Sequence, residues 1–214
     1  MAHTIIGIDP GYEGAVAVYE YLDMLDEWVM TAEPMPVITS KAKPRPGKKH
    51  MRTVMELDEG AIRDMFSRYD PANTVVFLEK QQAMTRFDPH RWNPITNKPG
   101  MNVPPSVNST WNLAAGYFIV RGILAGLQMS YRLVAPKEWQ KIMLAGRDKL
   151  DTKVAAAAVC RAMFPVLDLR KTGRCKLPHE GKCDAVLIAM YGYQLLHGKG
   201  ESGWILTNGV AKMT

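Results

Sequence analysis

Thr4-Ile5-Ile6-Gly7-Ile8-Asp9-Pro10-Gly11, followed by Gly14-Ala15-Val16-Ala17-Val18-Tyr19, is the stretch on which the fold turns. A short β-branched apolar run stops at Asp-Pro-Gly and resumes as a second apolar run, which predicts a hairpin whose first strand is buried. Asp9 closes that strand, where a charge is costly unless something pairs with it. Asp-Pro-Gly is also good turn chemistry, so the position by itself reads either way.

Outward from this hairpin the pattern alternates. A third strand is predicted over 27–31, a helix over 57–66 through Ile62, Met65 and Phe66, and a second buried strand over 75–78 that Glu79 ends. Residues 80–107 hold Asp88-Pro89, Asn93-Pro94, Lys98-Pro99-Gly100 and Pro104-Pro105, which suit neither helix nor strand and predict a long functional loop. Asn108-Ser109-Thr110 offers caps for an apolar helix over 111–127. A strand over 131–134 and helices over 138–143, 151–164 and 182–196 complete an α/β plan. No internal repeat or domain-sized linker interrupts residues 1–214, which read as one domain.

The composition agrees with a packed domain, since 47% of the 214 residues are hydrophobic and 22% charged, too apolar for a disordered chain. Three cysteines, an odd and low number, predict reduced thiols. No apolar run reaches the roughly 18 residues needed to cross a bilayer, and Met1-Ala2-His3-Thr4 lacks a charged leader. The expectation is a cytoplasmic protein without membrane partners, from a bacterial cell or a phage acting within one. The net charge of +6 is concentrated. Lys41, Lys43, Arg45, Lys48, Lys49 and Arg52 lie together with no acid among them, and without these six the bases equal the acids. A cationic loop over 40–53 is a contact for phosphates or a solvated flexible segment.

Glu180 and Asp184 stand four residues apart at a helix start, on one face and about one turn from each other. That face continues through Ile188 and Tyr191. A like-charged pair above an apolar stripe calls for a counter-ion, although acids in a first helical turn are also favourable in themselves. An Asp on the first strand, a Glu on a later strand and a carboxylate pair on the last helix form a set of hard oxygen donors, the chemistry of Mg²⁺ or Mn²⁺. A rival metal reading, Cys175-x3-His179-x3-Cys183 with Cys160, fits no common zinc module.

Four ordered segments resemble the RuvC-type Holliday-junction resolvases of the ribonuclease H-like superfamily. They are Ile5-Ile6-Gly7-Ile8-Asp9-Pro10-Gly11 with Gly14-Ala15, Val76-Phe77-Leu78-Glu79-Lys80-Gln81, Ala135-Pro136-Lys137-Glu138-Trp139-Gln140, and Gly181-Lys182-Cys183-Asp184-Ala185-Val186-Leu187-Ile188-Ala189. The resemblance implies a ribonuclease H-like fold, a mixed five-stranded sheet flanked by helices with the carboxylates at one edge. It implies catalytic, metal-holding roles for Asp9, Glu79 and Asp184, and more loosely for Glu180, because bacterial members often place that acid three residues before the last, where this chain has Gly181. In plant chloroplast resolvases, to which this arrangement looks similar, the place can hold a His, which brings in His179.

It further implies two Mg²⁺ per site, with Mn²⁺ substituting, and a homodimer that cuts four-way DNA junctions by paired nicks leaving 5′-phosphate and 3′-hydroxyl ends. The helix over 111–127 matches the family's dimer helix in position, and Ala114, Ala115, Gly116 and Gly122 would let a second helix approach. Lys149 and Lys153 match a region where the family uses lysine near the scissile phosphate. The family also inserts an aromatic soon after the strand-ending Glu, where this chain has Gln81 and Gln82. Lys80, Arg86, Phe87, His90, Arg91 and Trp92 supply instead a basic and aromatic mixture for phosphates and bases, with Phe87 or Trp92 as the expected wedge. Rival readings are a nuclease for flaps or hybrids, a junction-binding protein without catalysis, and an ATPase of the actin and sugar-kinase class suggested by Gly7-Ile8-Asp9-x-Gly11. The last lacks a second lobe and a Walker sequence.

Overall fold

The computed structural model describes residues 3–44, 47, 49–82, 86–147, 151–198, 205–207 and 210–212. Its first elements are β1 (Thr4–Asp9), β2 (Ala15–Leu22), β3 (Glu27–Pro34), β4 (Val37–Ala42), β5 (Arg52–Leu57), α1 (Glu59–Phe66) and β6 (Thr74–Glu79). There follow β7 (Arg86–Asn93), β8 (Lys98–Val103), α2 (Val107–Gly126), β9 (Ser130–Val134), α3 (Pro136–Met143), α4 (Thr152–Met163), α5 (Glu180–His197), β10 (Ile205–Thr207) and β11 (Val210–Lys212). The main sheet has the order β3-β2-β1-β6-β9. β1 pairs antiparallel with β2 and parallel with β6, and β6 parallel with β9. The ribonuclease H-like expectation of a mixed five-stranded sheet flanked by helices is met.

β1 is apolar without alternation because both of its faces are covered. Ile6 and Ile8 join Val76 and Leu78 against Ile62 and Phe66 of α1 and Val120 and Leu124 of α2. Ile5, with Phe77, packs on the opposite side into the layer of α3, α4 and α5. That second layer is dominated by α5, which is buried almost all round from Gly181 to Tyr193. Among the described residues, no helix is long and apolar enough to cross a membrane.

Three expectations change. The long loop over 80–107 is in its middle a β-hairpin, β7 with β8, which among the described residues pairs with no other strand. Its prolines are tolerated because the ladder shifts register between Asp88 and Trp92 and no main-sheet strand needs the missing donors. The ends of the cationic loop over 40–53 are likewise strand, with Lys41 opposite Thr53 and Ala42 opposite Arg52. Finally, α2 starts earlier than expected. Ser106, the first capping residue after Pro104-Pro105, accepts from the Ser109 N–H at 3.1 Å.

Candidate active site

Asp9 and Glu79 are the last residues of adjacent parallel strands whose preceding residues, Ile8 and Leu78, are register partners. Ile8 and Leu78 face α1 and α2, so by the two-residue period of a strand both carboxylates face the α5 layer. Gly7, on that same face, fixes the height of α5. A Cβ there would lie 2.2 Å from the Ala185 carbonyl oxygen and 2.4 Å from Ala189 N. At the start of the helix a Cβ on Gly181 would lie 2.4 Å from the Glu13 carbonyl oxygen and 2.8 Å from Gly14 Cα. α5 therefore runs back along β1, its first turn on the Asp9-to-Gly14 turn, and Asp184 falls between the two contacts, beside Asp9. Across the turn α2 closes in equally tightly, since a Cβ on Gly116 would stand 2.6 Å from the Pro10 carbonyl oxygen.

The three carboxylates are partly buried and feel one another. Burial pushes Asp9 up to about 6, against a hydrogen bond from the Gly11 N–H. Burial and then the charge of Asp9 push Glu79 up to about 7. Glu79 is held by two donors: Trp139 Nε1 at 2.9 Å from Oε1 and Gln81 Nε2 at 3.2 Å from Oε2. Asp184 rises furthest, to about 8, from burial first and then from Asp9, Glu79 and Glu180. Three buried like charges at one sheet edge are unfavourable by themselves, and a bound cation would compensate them.

All-oxygen donors fit Mg²⁺ or Mn²⁺. Among the described residues, however, no group of three or more His, Cys, Asp and Glu side chains stands as it is in an arrangement that could hold a metal ion. To meet on one ion the carboxylates would have to rotate from these positions.

The sign of the pH dependence follows from these shifts. Folding raises all three acids above their ordinary values of 3.8 to 4.5. The folded chain then binds more protons than the unfolded one between about pH 4 and 8, and stability falls as pH rises through that window. Each pKa unit is worth about 1.4 kcal/mol, or roughly 3–6 °C for a chain of this size. Without divalent ions the melting temperature is expected to be at least about 3 °C lower at pH 8.5 than at pH 5. Mg²⁺ or Asp184→Asn should remove most of that difference; calorimetry at the two pH values, with EDTA or Mg²⁺, checks this.

Glu180 does not join the buried set. Its exposed carboxylate is 2.6 Å from Lys153 Nζ, so a lysine already supplies the counter-ion that the acid pair called for, and Lys153 stands within reach of Asp184's field. At the next position Gly181 packs so closely on Gly14 that no side chain would fit there. His179 turns away: it is the N-cap of α5, Nδ1 accepting from Lys182 N at 3.3 Å, and burial holds its pKa down. No cysteine site for zinc exists among the described residues. Cys160 donates to the Cys183 carbonyl, and Cys175 is in contact with the Thr172 hydroxyl.

Lys80, directly after Glu79, is exposed. Lys43 and Lys49 near the β4–β5 tip are exposed, and Lys41 donates to Thr53 Oγ1 at 2.9 Å. His90, Arg91 and Trp92 are exposed on β7, Trp92 to 56%. Arg45, Lys48 and Lys149 lie outside the described residues, and for Arg52, Arg86 and Phe87 only the backbone is described. Sequence reasoning did not identify Gly7 and Gly181 as packing positions, Trp139 and Gln81 as partners of Glu79, or Glu13 and Lys171 beside the turn. Lys137-Glu138-Trp139-Gln140 was visible as a motif, but nothing in it tells that the indole reaches Glu79.

No protein-family model matches the sequence, and no curated protein matches it. Among solved structures the chain is similar to Thermus thermophilus RuvC in complex with a Holliday junction substrate, at 12% identity over 91% of this chain and 96% of that one, with a TM-score of 0.48. A second Thermus thermophilus RuvC structure matches at 15% identity over 91% and 96%, with a TM-score of 0.47. Fowlpox virus resolvase, in complex with its substrate Holliday junction DNA, matches at 12% over 89% and 99%, with a TM-score of 0.36.

Proposed function

We propose that this chain is a divalent-metal-dependent endonuclease that resolves four-way DNA junctions. The observation that carries the reading is the convergence of Asp9, Glu79 and Asp184 from β1, β6 and α5 at one sheet edge, where burial raises all three, Asp9 disfavours the charge of Glu79, and both disfavour that of Asp184. Bound there, two Mg²⁺ ions would supply an activated water and stabilise the leaving 3′ oxygen. Asp9, Glu79 and Asp184 would hold the ions, Asp9 as the ligand common to both; Glu79 is oriented by Trp139 and Gln81, and Asp184 comes from α5. Lys153 holds Glu180 in the absence of DNA and is placed to meet a phosphate near the site. Two basic hairpins, β4–β5 and β7–β8, flank the domain, and their exposed Lys43, Lys49, Arg91 and Trp92 suit backbone phosphates and an unstacked base. The test is cleavage of a labelled immobile junction in Mg²⁺ against duplex, flap and hybrid substrates. Paired symmetric nicks with ligatable ends support the reading, and faster cutting of flaps or hybrids sinks the substrate assignment.

Paired cuts need two sites related by symmetry. α2 carries an unpartnered apolar stripe for a second copy: Val107, Trp111 and Phe118 are 85%, 72% and 60% exposed, and Gly122 has nothing within 4 Å of where a Cβ would be. Gly116, expected at such an interface, is instead spent inside the chain against Pro10. Phe118→Asp is expected to turn a dimer into a monomer in sedimentation equilibrium while leaving the fold intact. A wild-type chain that sediments as a monomer overturns the dimer.

A further inference from the structure

The turn after Asp9 is tied to the helix that carries Asp184 by side chains outside the acidic site. Glu13, in that turn, accepts from Lys171 Nζ through Oε2, and the same oxygen faces His179 Nε2 at 3.6 Å. His179 is fixed in turn, its N–H donating to the Leu169 carbonyl at 2.7 Å and its Nδ1 capping α5. Lys182, buried in the first turn of α5, donates from Nζ to the Asp168 carbonyl at 3.0 Å. Residues 168–179 are thereby stitched to both the β1–β2 turn and the first turn of α5. At this same place the backbones of Gly14 and Gly181 touch. The two segments so joined carry Asp9 and Asp184, whose charges repel.

We infer that the Glu13–Lys171 pair, seated on His179, is a positioning device that sets the spacing of Asp9 and Asp184 against their repulsion, and so sets the affinity for the divalent cation, without either side chain reaching it. The inference rests on reading the three carboxylates as cation ligands. Outer groups that orient ligands commonly carry tenfold or more of metal affinity, whereas an exposed ion pair adds little to global stability. Affinity should therefore move while the melting temperature stays.

The experiment is Mn²⁺ titration calorimetry on the full chain for the wild type, Glu13→Gln, Lys171→Met, the double variant, and the exchange Glu13→Lys with Lys171→Glu. Each single change is expected to weaken Mn²⁺ binding about tenfold, with melting in EDTA unchanged within about 2 °C. The double variant should lose no more than either single, and the exchanged pair should recover most of the affinity. Wild-type affinity in both single variants overturns the positioning role alone, as do additive losses or a loss that tracks a fall in melting temperature. A wild type that binds no Mn²⁺ overturns the cation reading and this inference with it.

Discussion

Asp9→Asn is expected to lower the single-turnover rate of junction cleavage in Mg²⁺ by at least about a thousandfold, roughly 4 kcal/mol of transition-state stabilisation. Junction binding in EDTA should stay within about threefold, since the change lies outside every basic hairpin. Asparagine keeps the shape and the oxygen that can accept from the Gly11 N–H. It removes the charge that a shared ligand needs and replaces one donor oxygen with an N–H₂ that cannot bind a cation. The same change should stabilise the metal-free protein at pH 8.5, because Glu79 and Asp184 lose a repulsive neighbour. Opposite movement of activity and melting temperature separates this from a folding defect. A variant that cuts within tenfold of wild type sinks the assignment of Asp9.

The largest effect on stability is expected at Gly7. Gly7→Ala puts a methyl group 2.2 Å from the Ala185 carbonyl oxygen, 2.4 Å from Ala189 N and 3.0 Å from Ala189 Cα. All three are backbone atoms of a buried helix, and Gly7 itself lies in the central strand, so neither side has a flexible group to yield. Overpacking of this kind costs about 3 kcal/mol or more, several degrees to ten in melting temperature. Gly126→Ala is the matched control: with nothing within 4 Å at the exposed end of α2, it should stabilise by up to about 1 kcal/mol. Urea unfolding of the two variants measures both. A cost below about 1 kcal/mol at Gly7 would mean that α5 does not lie on β1 as described.

The elements that the sequence made legible are those whose pattern is local. The unbroken apolar run of β1 announces two covered faces, and Asp58 and Asp151, each ahead of a helical pattern, do cap α1 and α4. Asp9, Glu79 and Asp184 could be picked out because each interrupts or opens an apolar element. The β7–β8 hairpin escaped because Pro89 and Pro99 argue against strands, and a two-stranded ribbon needs few donors at those places. Helical spacing puts Glu180 on the side of Asp184 but does not tell that its carboxylate lies exposed against Lys153. The Trp139–Glu79 and Lys171–Glu13 contacts join distant parts of the chain, and no periodicity encodes them.

The docking of α5 along β1 also dictates when the protein can become active during its synthesis. β1, β6 and their two carboxylates leave the ribosome early, but the third carboxylate sits on the last long helix, which must be complete before it can pack into the sheet. A nascent or prematurely ended chain thus exposes a half-built site and an uncovered sheet face. Such a chain lacks one of the three acids and is marked by its apolar surface for chaperones or proteases. For a chain that cuts DNA as proposed above, the position of one helix in the sequence would be a safeguard against damage by incomplete copies.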